Sequence, residues 1–211
     1  MNALQRVKVC GLTNVDDASV AVSAGADAIG LVFYDKSPRN VSLDQAAEIA
    51  RSVGPFCTVV GLFVDADKAF VERVLSRVGL HVLQFHGNES DEYCAQFQRP
   101  FYKALRMKED LDVETAMAKF PSAIAILLDA YRPGVPGGTG ETFNWQRVPQ
   151  ESTRPIILAG GLTPDNVSEA VAATQVYGVD VSGGVESLPG KKDSDKVRAF
   201  IRRAKAENKS V

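Results

Sequence analysis

The feature that most constrains the fold is a rhythm, in which eight short apolar runs alternate with segments of helical spacing. The runs cover residues 7–10, 28–33, 58–64, 82–85, 101–104, 124–129, 156–159 and 176–181. Several of them, such as residues 124–128, are apolar at every position instead of alternating with polar residues. A strand that is covered on both faces has this composition, which is typical of a parallel sheet.

The intervening segments have the apolar spacing of amphipathic helices. They cover residues 15–24, 43–53, 68–78, 89–98, 111–119, 164–173 and 194–205. Asn14 and Ser42 are suitable caps for the first two, and Thr163 before Pro164 places a cap ahead of a first-turn proline. Residues 130–143 are rich in glycine and proline, so any sixth helix is expected to be short and to lie near residues 144–148.

Eight such units in 211 residues predict an α/β fold, a single-domain (β/α)8 TIM barrel that spans residues 1–211. The alternative is an open doubly wound sheet. That fold usually has fewer strands, and this chain has neither a GxGxxG fingerprint nor a phosphate-binding loop of the nucleotide-hydrolase type. No interdomain linker interrupts the rhythm.

Composition excludes several function classes. The net charge is -2, so a basic surface for nucleic acid is not expected. No apolar run reaches the roughly 18 residues of a membrane span. The 3 cysteines are widely spaced, which suits a reducing compartment and gives no zinc-ligand pattern. We therefore expect a cytoplasmic domain without metal, nucleic-acid or membrane partners.

Two reactive side chains end predicted strands, where a barrel of this kind carries its active site. Cys10 is either a small buried hydrophobe or a general base, and the base role requires a thiolate that the helix start near Asn14 would favour. Asp129 follows five aliphatic residues. Burying a carboxyl group there costs free energy, so we expect Asp129 either to cap loop backbone or to act as a general acid kept protonated by its apolar surroundings.

Two further polar residues follow predicted strands. Arg39, in the segment Ser37-Pro38-Arg39, could bind a substrate carboxylate with two hydrogen bonds or could be an ordinary surface arginine. His86 either faces the pocket and contacts the substrate or hydrogen-bonds the loop backbone. Sequence spacing leaves both alternatives open for each residue.

The last two strands both run into small residues. Gly160 and Gly161 follow the seventh run, and Ser182 and Gly183 follow the eighth. Loops of this kind let backbone N–H groups approach an anion, and barrels commonly bind phosphate at this position. The alternative for either loop alone is a simple tight turn. The two together predict a phosphate site.

The chain resembles the phosphoribosylanthranilate isomerase family over nearly its whole length. The resemblance rests on the order and spacing of several short motifs. These are KVCGLT at residues 8–13, SPR at 37–39, VGLFV at 60–64, LQFHG at 83–87, LLDA at 127–130, GGTG at 137–140, FNW at 143–145, AGGL at 159–162 and VDVS at 179–182.

The resemblance implies a (β/α)8 barrel without metal or organic cofactor that carries out an Amadori rearrangement of a phosphosugar in tryptophan biosynthesis. It implies that Asp129 is the general acid, that Cys10 is the general base and that Arg39 holds the anthranilate carboxylate. The Gly160-Gly161 and Ser182-Gly183 loops match the phosphate site, although the family often has a second serine at Gly183.

Other assignments remain. A histidine-pathway isomerase would use an aspartate in place of Cys10, and indole-glycerol-phosphate synthase would need a catalytic lysine at a strand end. A non-catalytic phosphate-binding barrel would not need both Cys10 and Asp129. We expect a small phosphosugar as the ligand and a monomer or homodimer, and we expect residues 130–143 to act as a lid.

Overall fold

The computed structural model describes residues 5–130 and 142–206, in which eight parallel strands close a barrel in sequence order from β1 to β8. The predicted barrel is therefore confirmed. Its strands are β1 Arg6–Cys10, β2 Ala28–Phe33, β3 Thr58–Phe63, β4 Val82–Phe85, β5 Phe101–Met107, β6 Ala125–Ala130, β7 Ile156–Leu158 and β8 Gly178–Val181. A two-stranded antiparallel hairpin follows, formed by β9 Glu186–Leu188 and β10 Lys191–Lys192.

Seven α-helices are found in these described ranges. They are α1 Val15–Ser23, α2 Leu43–Ser52, α3 Lys68–Arg77, α4 Asp91–Ala95, α5 Val113–Ala118, α6 Val167–Thr174 and α7 Ser194–Lys205. The short helix predicted between β6 and β7 is present as a 3-10 turn, Trp145–Arg147, and a second 3-10 turn, Gly183–Val185, follows β8. Asn14 and Ser42 cap α1 and α2 as predicted, each through a side-chain oxygen that accepts a backbone N–H.

The core has two parts because successive strand residues point to opposite sides of the sheet. Val9, Leu31 and Phe63 point outward into a large apolar layer that they share with the helices. Tyr102 and Leu127 point inward and fill the barrel. This double burial explains the uninterrupted apolar runs in the sequence.

The register of β1 with its two neighbours places the inward residues of the site. Lys8 lies opposite Asp180 on β8, and Cys10 lies opposite Gly30 on β2. A Cβ atom added to Gly30 would lie 2.6 Å from Cys10 Sγ, so the missing side chain makes room for the cysteine.

Three helices begin later than the sequence predicts. The helix expected from residue 111 begins at Val113, where the Asp112 side chain accepts the N–H of Thr115. The helix expected from residue 89 begins at Asp91, because the Glu89 carboxylate accepts the backbone N–H groups of Asp65 and Gly87 and holds their loops. The helix expected from residue 164 begins at Val167. There the Asn166 side chain accepts the N–H of Thr163 and donates to the carbonyl of Gly161, which fixes the loop after β7.

Within residues 5–130 and 142–206, no helix is long and apolar enough to cross a membrane. The proposed lid at residues 130–143 falls almost entirely outside the described residues, and so does the GGTG motif.

Candidate active site

One pocket opens at the carboxyl ends of the barrel strands and contains every residue that the sequence singled out. Its lining includes Cys10, Arg39, His86, Asp129, Gly160, Gly161, Ser182 and Gly183. Two residues that were not predicted, Gln84 and Asp180, also line this pocket.

The order of the strands fixes how these groups are arranged around the rim. Asp129 is on β6 and Cys10 is on β1, and the strands β7 and β8 lie between them. The two glycine-containing loops therefore separate the carboxyl group from the thiol. Arg39 follows β2, on the far side of Cys10.

Cys10 is almost completely buried at the base of the pocket. Burial raises the pKa of its thiol, and the positive charges of Lys8 and Lys192 oppose this effect. The sequence pointed to the start of helix α1 as the source of positive charge. In the structure the nearby lysines supply it.

Asp129 is also buried, with 4% of its surface exposed, at the end of the most apolar strand. His86 Nε2 lies 3.2 Å from Asp129 Oδ2. On its other side, His86 Nδ1 is 3.4 Å from Gln84 Nε2. Of the two alternatives for the histidine side chain, the structure thus shows the one that faces the pocket, beside the carboxyl group.

Arg39 does not extend into solvent. Its Nε and Nη2 donate hydrogen bonds of 2.7 Å to the two oxygens of Glu186, which follows the 3-10 turn after β8. Lys192 donates a 2.9 Å bond to the same carboxylate. Gly11, at φ +74°, has no side chain to obstruct Arg39, whose stem crosses directly over it.

The loops after β7 and β8, whose residues line the pocket, contain polar groups without a partner among the described residues. Gly160 and Gly161 adopt φ of +83° and +65°, and their N–H groups donate to no other described residue. The Ser182 hydroxyl is buried and has no hydrogen-bond partner among the described residues. Lys192, which donates to the carbonyl of Ser182, places a positive charge beneath this loop. Such an arrangement is suited to an anion.

A hydrogen-bonded polar network lies inside the barrel, and two of its members, Gln84 and Asp180, also line the pocket. Lys8 Nζ donates to both carboxylate oxygens of Asp180 at 3.0 Å and to Gln84 Oε1 at 3.1 Å. The Tyr102 hydroxyl donates to the same Gln84 oxygen at 2.9 Å. Sequence reasoning did not identify these residues. The period of two between Lys8 and Cys10 was the available signal, because it places both side chains inside the barrel.

The described residues contain no group of three or more histidine, cysteine, aspartate or glutamate side chains that could hold a metal ion. The polar groups at the pocket include a thiol, a carboxyl group beside an imidazole, a guanidinium and a loop with free N–H groups. This set can transfer protons and can bind anions.

The chain is similar to known isomerases along most of its length. The family model described as N-(5'phosphoribosyl)anthranilate (PRA) isomerase matches residues 7–203. The N-(5'-phosphoribosyl)anthranilate isomerase of Cellvibrio japonicus is 65% identical over 195 residues, which cover 92% of this chain and 91% of that protein.

Solved structures agree with this similarity. The phosphoribosyl anthranilate isomerase of Thermotoga maritima superposes with a TM-score of 0.86 at 40% identity, over 95% of this chain and 98% of that one. A phosphoribosyl anthranilate isomerase in complex with reduced 1-(o-carboxyphenylamino)-1-deoxyribulose 5-phosphate superposes with a TM-score of 0.82 at 37% identity, over 95% and 98% of the two chains.

Proposed function

The chain belongs to the N-(5'-phosphoribosyl)anthranilate isomerase family, and on that premise we propose that Cys10 and Asp129 carry out its reaction as general base and general acid. The reaction converts phosphoribosylanthranilate to 1-(2-carboxyphenylamino)-1-deoxyribulose 5-phosphate, a step of tryptophan biosynthesis. The observation that carries the assignment is the position of these two groups in one pocket, on either side of the loops after β7 and β8.

This placement suits a sugar phosphate. With the phosphate bound at Gly160, Gly161 and Ser182, the ribose extends between the carboxyl group of β6 and the thiol of β1. The free N–H groups of the two glycines and the unpartnered Ser182 hydroxyl are the donors for the phosphate oxygens. Lys192 below the loop adds a positive charge.

The other anion of the substrate is the anthranilate carboxylate, which we assign to Arg39. The pair with Glu186 occupies the Nε and Nη2 edge of the guanidinium. The Nη1 group remains for the substrate. Because Glu186 fixes the guanidinium in place, little conformational entropy is lost when the carboxylate binds.

The chemistry then needs one proton donor and one proton acceptor. Asp129 protonates the ribose ring oxygen, the bond from C1 to that oxygen breaks, and the anthranilate nitrogen and C1 form a Schiff-base cation. Cys10 removes the proton from C2, and the electron pair of that bond gives the enolamine. The enolamine loses its C2 hydroxyl proton, gains a proton at C1 and becomes the ketone, so the overall reaction is an isomerisation.

His86 is placed to assist the acid. It lies 3.2 Å from Asp129 Oδ2 and is itself in contact with Gln84. We propose that it orients the carboxyl group toward the ring oxygen and contacts the substrate from the β4 side of the pocket. No step of this chemistry calls for a cofactor, and we expect full activity after treatment with a chelator.

The experiment that tests the assignment supplies the purified chain with phosphoribosylanthranilate, formed in situ, and follows the loss of its fluorescence. Rapid loss, with the ketose phosphate identified as the product by mass spectrometry, supports the proposal. No loss, together with turnover of the aminoaldose bisphosphate of the histidine pathway, would overturn it in favour of the related isomerase. Binding of inorganic phosphate without turnover of either substrate would indicate a binding protein.

A further inference from the structure

Lys8 is a buried charged side chain that the acid and base roles do not use. It is two residues from Cys10 on β1, so both side chains point into the barrel. A Cβ atom at Gly30 would lie 2.6 Å from Cys10 Sγ and 3.0 Å from Lys8 Cε. The two side chains therefore lie close together, both next to Gly30, which has no side chain of its own.

The surroundings of Lys8 keep it charged and fixed. Only 6% of its surface is exposed, and its ammonium donates to both oxygens of Asp180 and to Gln84. Burial is the largest single influence and lowers the pKa of Lys8, but the Asp180 carboxylate together with Cys10 and Tyr102 outweighs burial and raises the pKa well above its usual value. An ammonium ion held in this way is a permanent positive charge under the thiol.

We propose that Lys8 is a positioning residue for the base, whose ammonium charge stabilises the thiolate of Cys10 that removes the C2 proton. The inference rests on the proposed function and adds to it the source of the thiolate. A buried thiol without a nearby cation would remain protonated and would be a poor base.

The other charged and titratable groups around Cys10 also raise or lower the pKa of its thiol. Burial raises the pKa of the thiol most strongly, the Lys8 charge lowers it, and the Asp180 carboxylate raises it by less than Lys8 lowers it. Lys192 also lowers it, from β10. The guanidinium of Arg39, in the loop after β2, and the hydroxyl of Tyr102, on β5, also interact with the thiol. Among these groups Lys8 is the principal counter-charge.

The test is the pH dependence of Cys10 alkylation by iodoacetamide, read peptide by peptide by mass spectrometry, in the wild type and in Lys8→Met. A nearby opposite charge changes a pKa by about 1 to 3 pH units, so the variant is expected to titrate at least about 1 pH unit higher. Alkylation at pH 7 then falls about tenfold or more. The acidic limb of kcat/KM against pH is expected to move by the same amount.

A second variant separates charge from packing. Lys8→Arg keeps the positive charge, so Cys10 is expected to titrate near its wild-type pH. A loss of packing would instead shift the titration of the thiol in both variants. Cys57 and Cys94 report on general loosening in the same samples, and their alkylation is expected to stay unchanged.

A matched control removes a different buried lysine. Lys103 is buried and paired with Glu89 at 2.6 Å, as Lys8 is paired with Asp180. Lys103→Met is expected to leave the titration of Cys10 unchanged. If Lys8→Met does not fold because Asp180 is left unpaired, Lys8→Met with Asp180→Asn removes both charges, and a smaller rise of the thiol pKa is still expected.

An unchanged Cys10 titration in a folded Lys8→Met or double variant would overturn the inference. That result is distinct from failure of the proposed function, which would appear as a wild-type chain that does not consume phosphoribosylanthranilate while its Cys10 still titrates.

Discussion

Arg39 and Glu186 form a two-point ion pair, with both hydrogen bonds 2.7 Å long, although 147 residues separate them in the chain. The pair joins the loop after β2 to the segment after β8. Because the same carboxylate also accepts a hydrogen bond from Lys192, a single acidic residue orients the proposed carboxylate receptor and a cation beneath the proposed phosphate site. Both ends of the substrate site therefore depend on Glu186.

If Arg39 binds the anthranilate carboxylate, replacing its guanidinium group is expected to weaken substrate binding. Arg39→Lys keeps a positive charge but loses the fixed pair of donors. A charge-assisted hydrogen bond contributes about 1.5–3 kcal/mol, so KM for phosphoribosylanthranilate is expected to rise about 10- to 100-fold, with a smaller change in kcat. Steady-state kinetics measure this directly. An unchanged KM would show that the anthranilate carboxylate binds elsewhere.

The charge of Glu186 predicts how stability depends on pH. Burial alone would raise the pKa of Glu186, but Arg39 and Lys192 outweigh burial and hold it below its usual 4.5. The stabilisation is therefore present above about pH 4.5 and is lost as the pH falls through the lower folded-state value.

Replacing this carboxylate leaves two buried cations without their partner. The free energy of unfolding of Glu186→Gln at pH 7 is expected to be about 3 kcal/mol lower than that of the wild type. The difference is expected to shrink as the pH falls below about 4.5, because acid protonates the wild-type carboxylate first in the unfolded chain and at lower pH in the folded protein. Urea unfolding at pH 7, 5 and 3 checks this. A difference that grows on acidification would contradict the account.

A position can require glycine because its backbone has a positive φ or because a Cβ atom would clash with its surroundings. Three glycines of this chain allow the two causes to be compared. Gly54 has φ +72° and open space around its Cα, whereas Gly184 has an ordinary φ and would direct a Cβ into the carbonyl of Leu162. Gly160 combines φ +83° with a Cβ position that meets the backbone of Ala130. Gly54→Ala is expected to cost about 1–2 kcal/mol of stability from the left-handed backbone alone.

Gly160→Ala is expected to cost more than Gly54→Ala, because the loop must also move away from β6. That movement displaces the N–H groups proposed for phosphate, so KM is expected to rise in Gly160→Ala and Gly184→Ala but not in Gly54→Ala. Thermal unfolding and kinetics of the three variants provide the comparison. Equal KM values in all three would argue against phosphate binding at this loop.

The barrel itself could be predicted from the sequence because each strand is buried on both faces and each unit repeats the same pattern. The predicted start of a helix was wrong where a side chain forms hydrogen bonds with a loop outside its own helix. Glu89 fits a helical pattern, but its carboxylate binds two loop N–H groups, so α4 begins at Asp91. Asn166 similarly holds the loop of Gly161 and delays α6.

The pocket residues were identifiable for the same topological reason, since residues at the ends of parallel strands meet on one face. Their charged partners were not. Lys8 and Asp180 are 172 residues apart, and only the register of β1 against β8 brings them together. Lys192 lies on a hairpin outside the βα repeat. Sequence spacing within one element cannot reveal such pairs.

Cys10 and Asp129 are the residues on which the proposed reaction depends most directly, and one assay tests both. The loss of phosphoribosylanthranilate fluorescence is to be measured for Cys10→Ala and Asp129→Asn, with Cys57→Ala and Cys94→Ala as matched controls in which an equally buried thiol is removed. General acid and base groups contribute about 10²- to 10⁴-fold each, so both site variants are expected to lose at least about 100-fold in kcat while the controls retain wild-type rates. Wild-type turnover by Cys10→Ala or by Asp129→Asn would contradict the assignment.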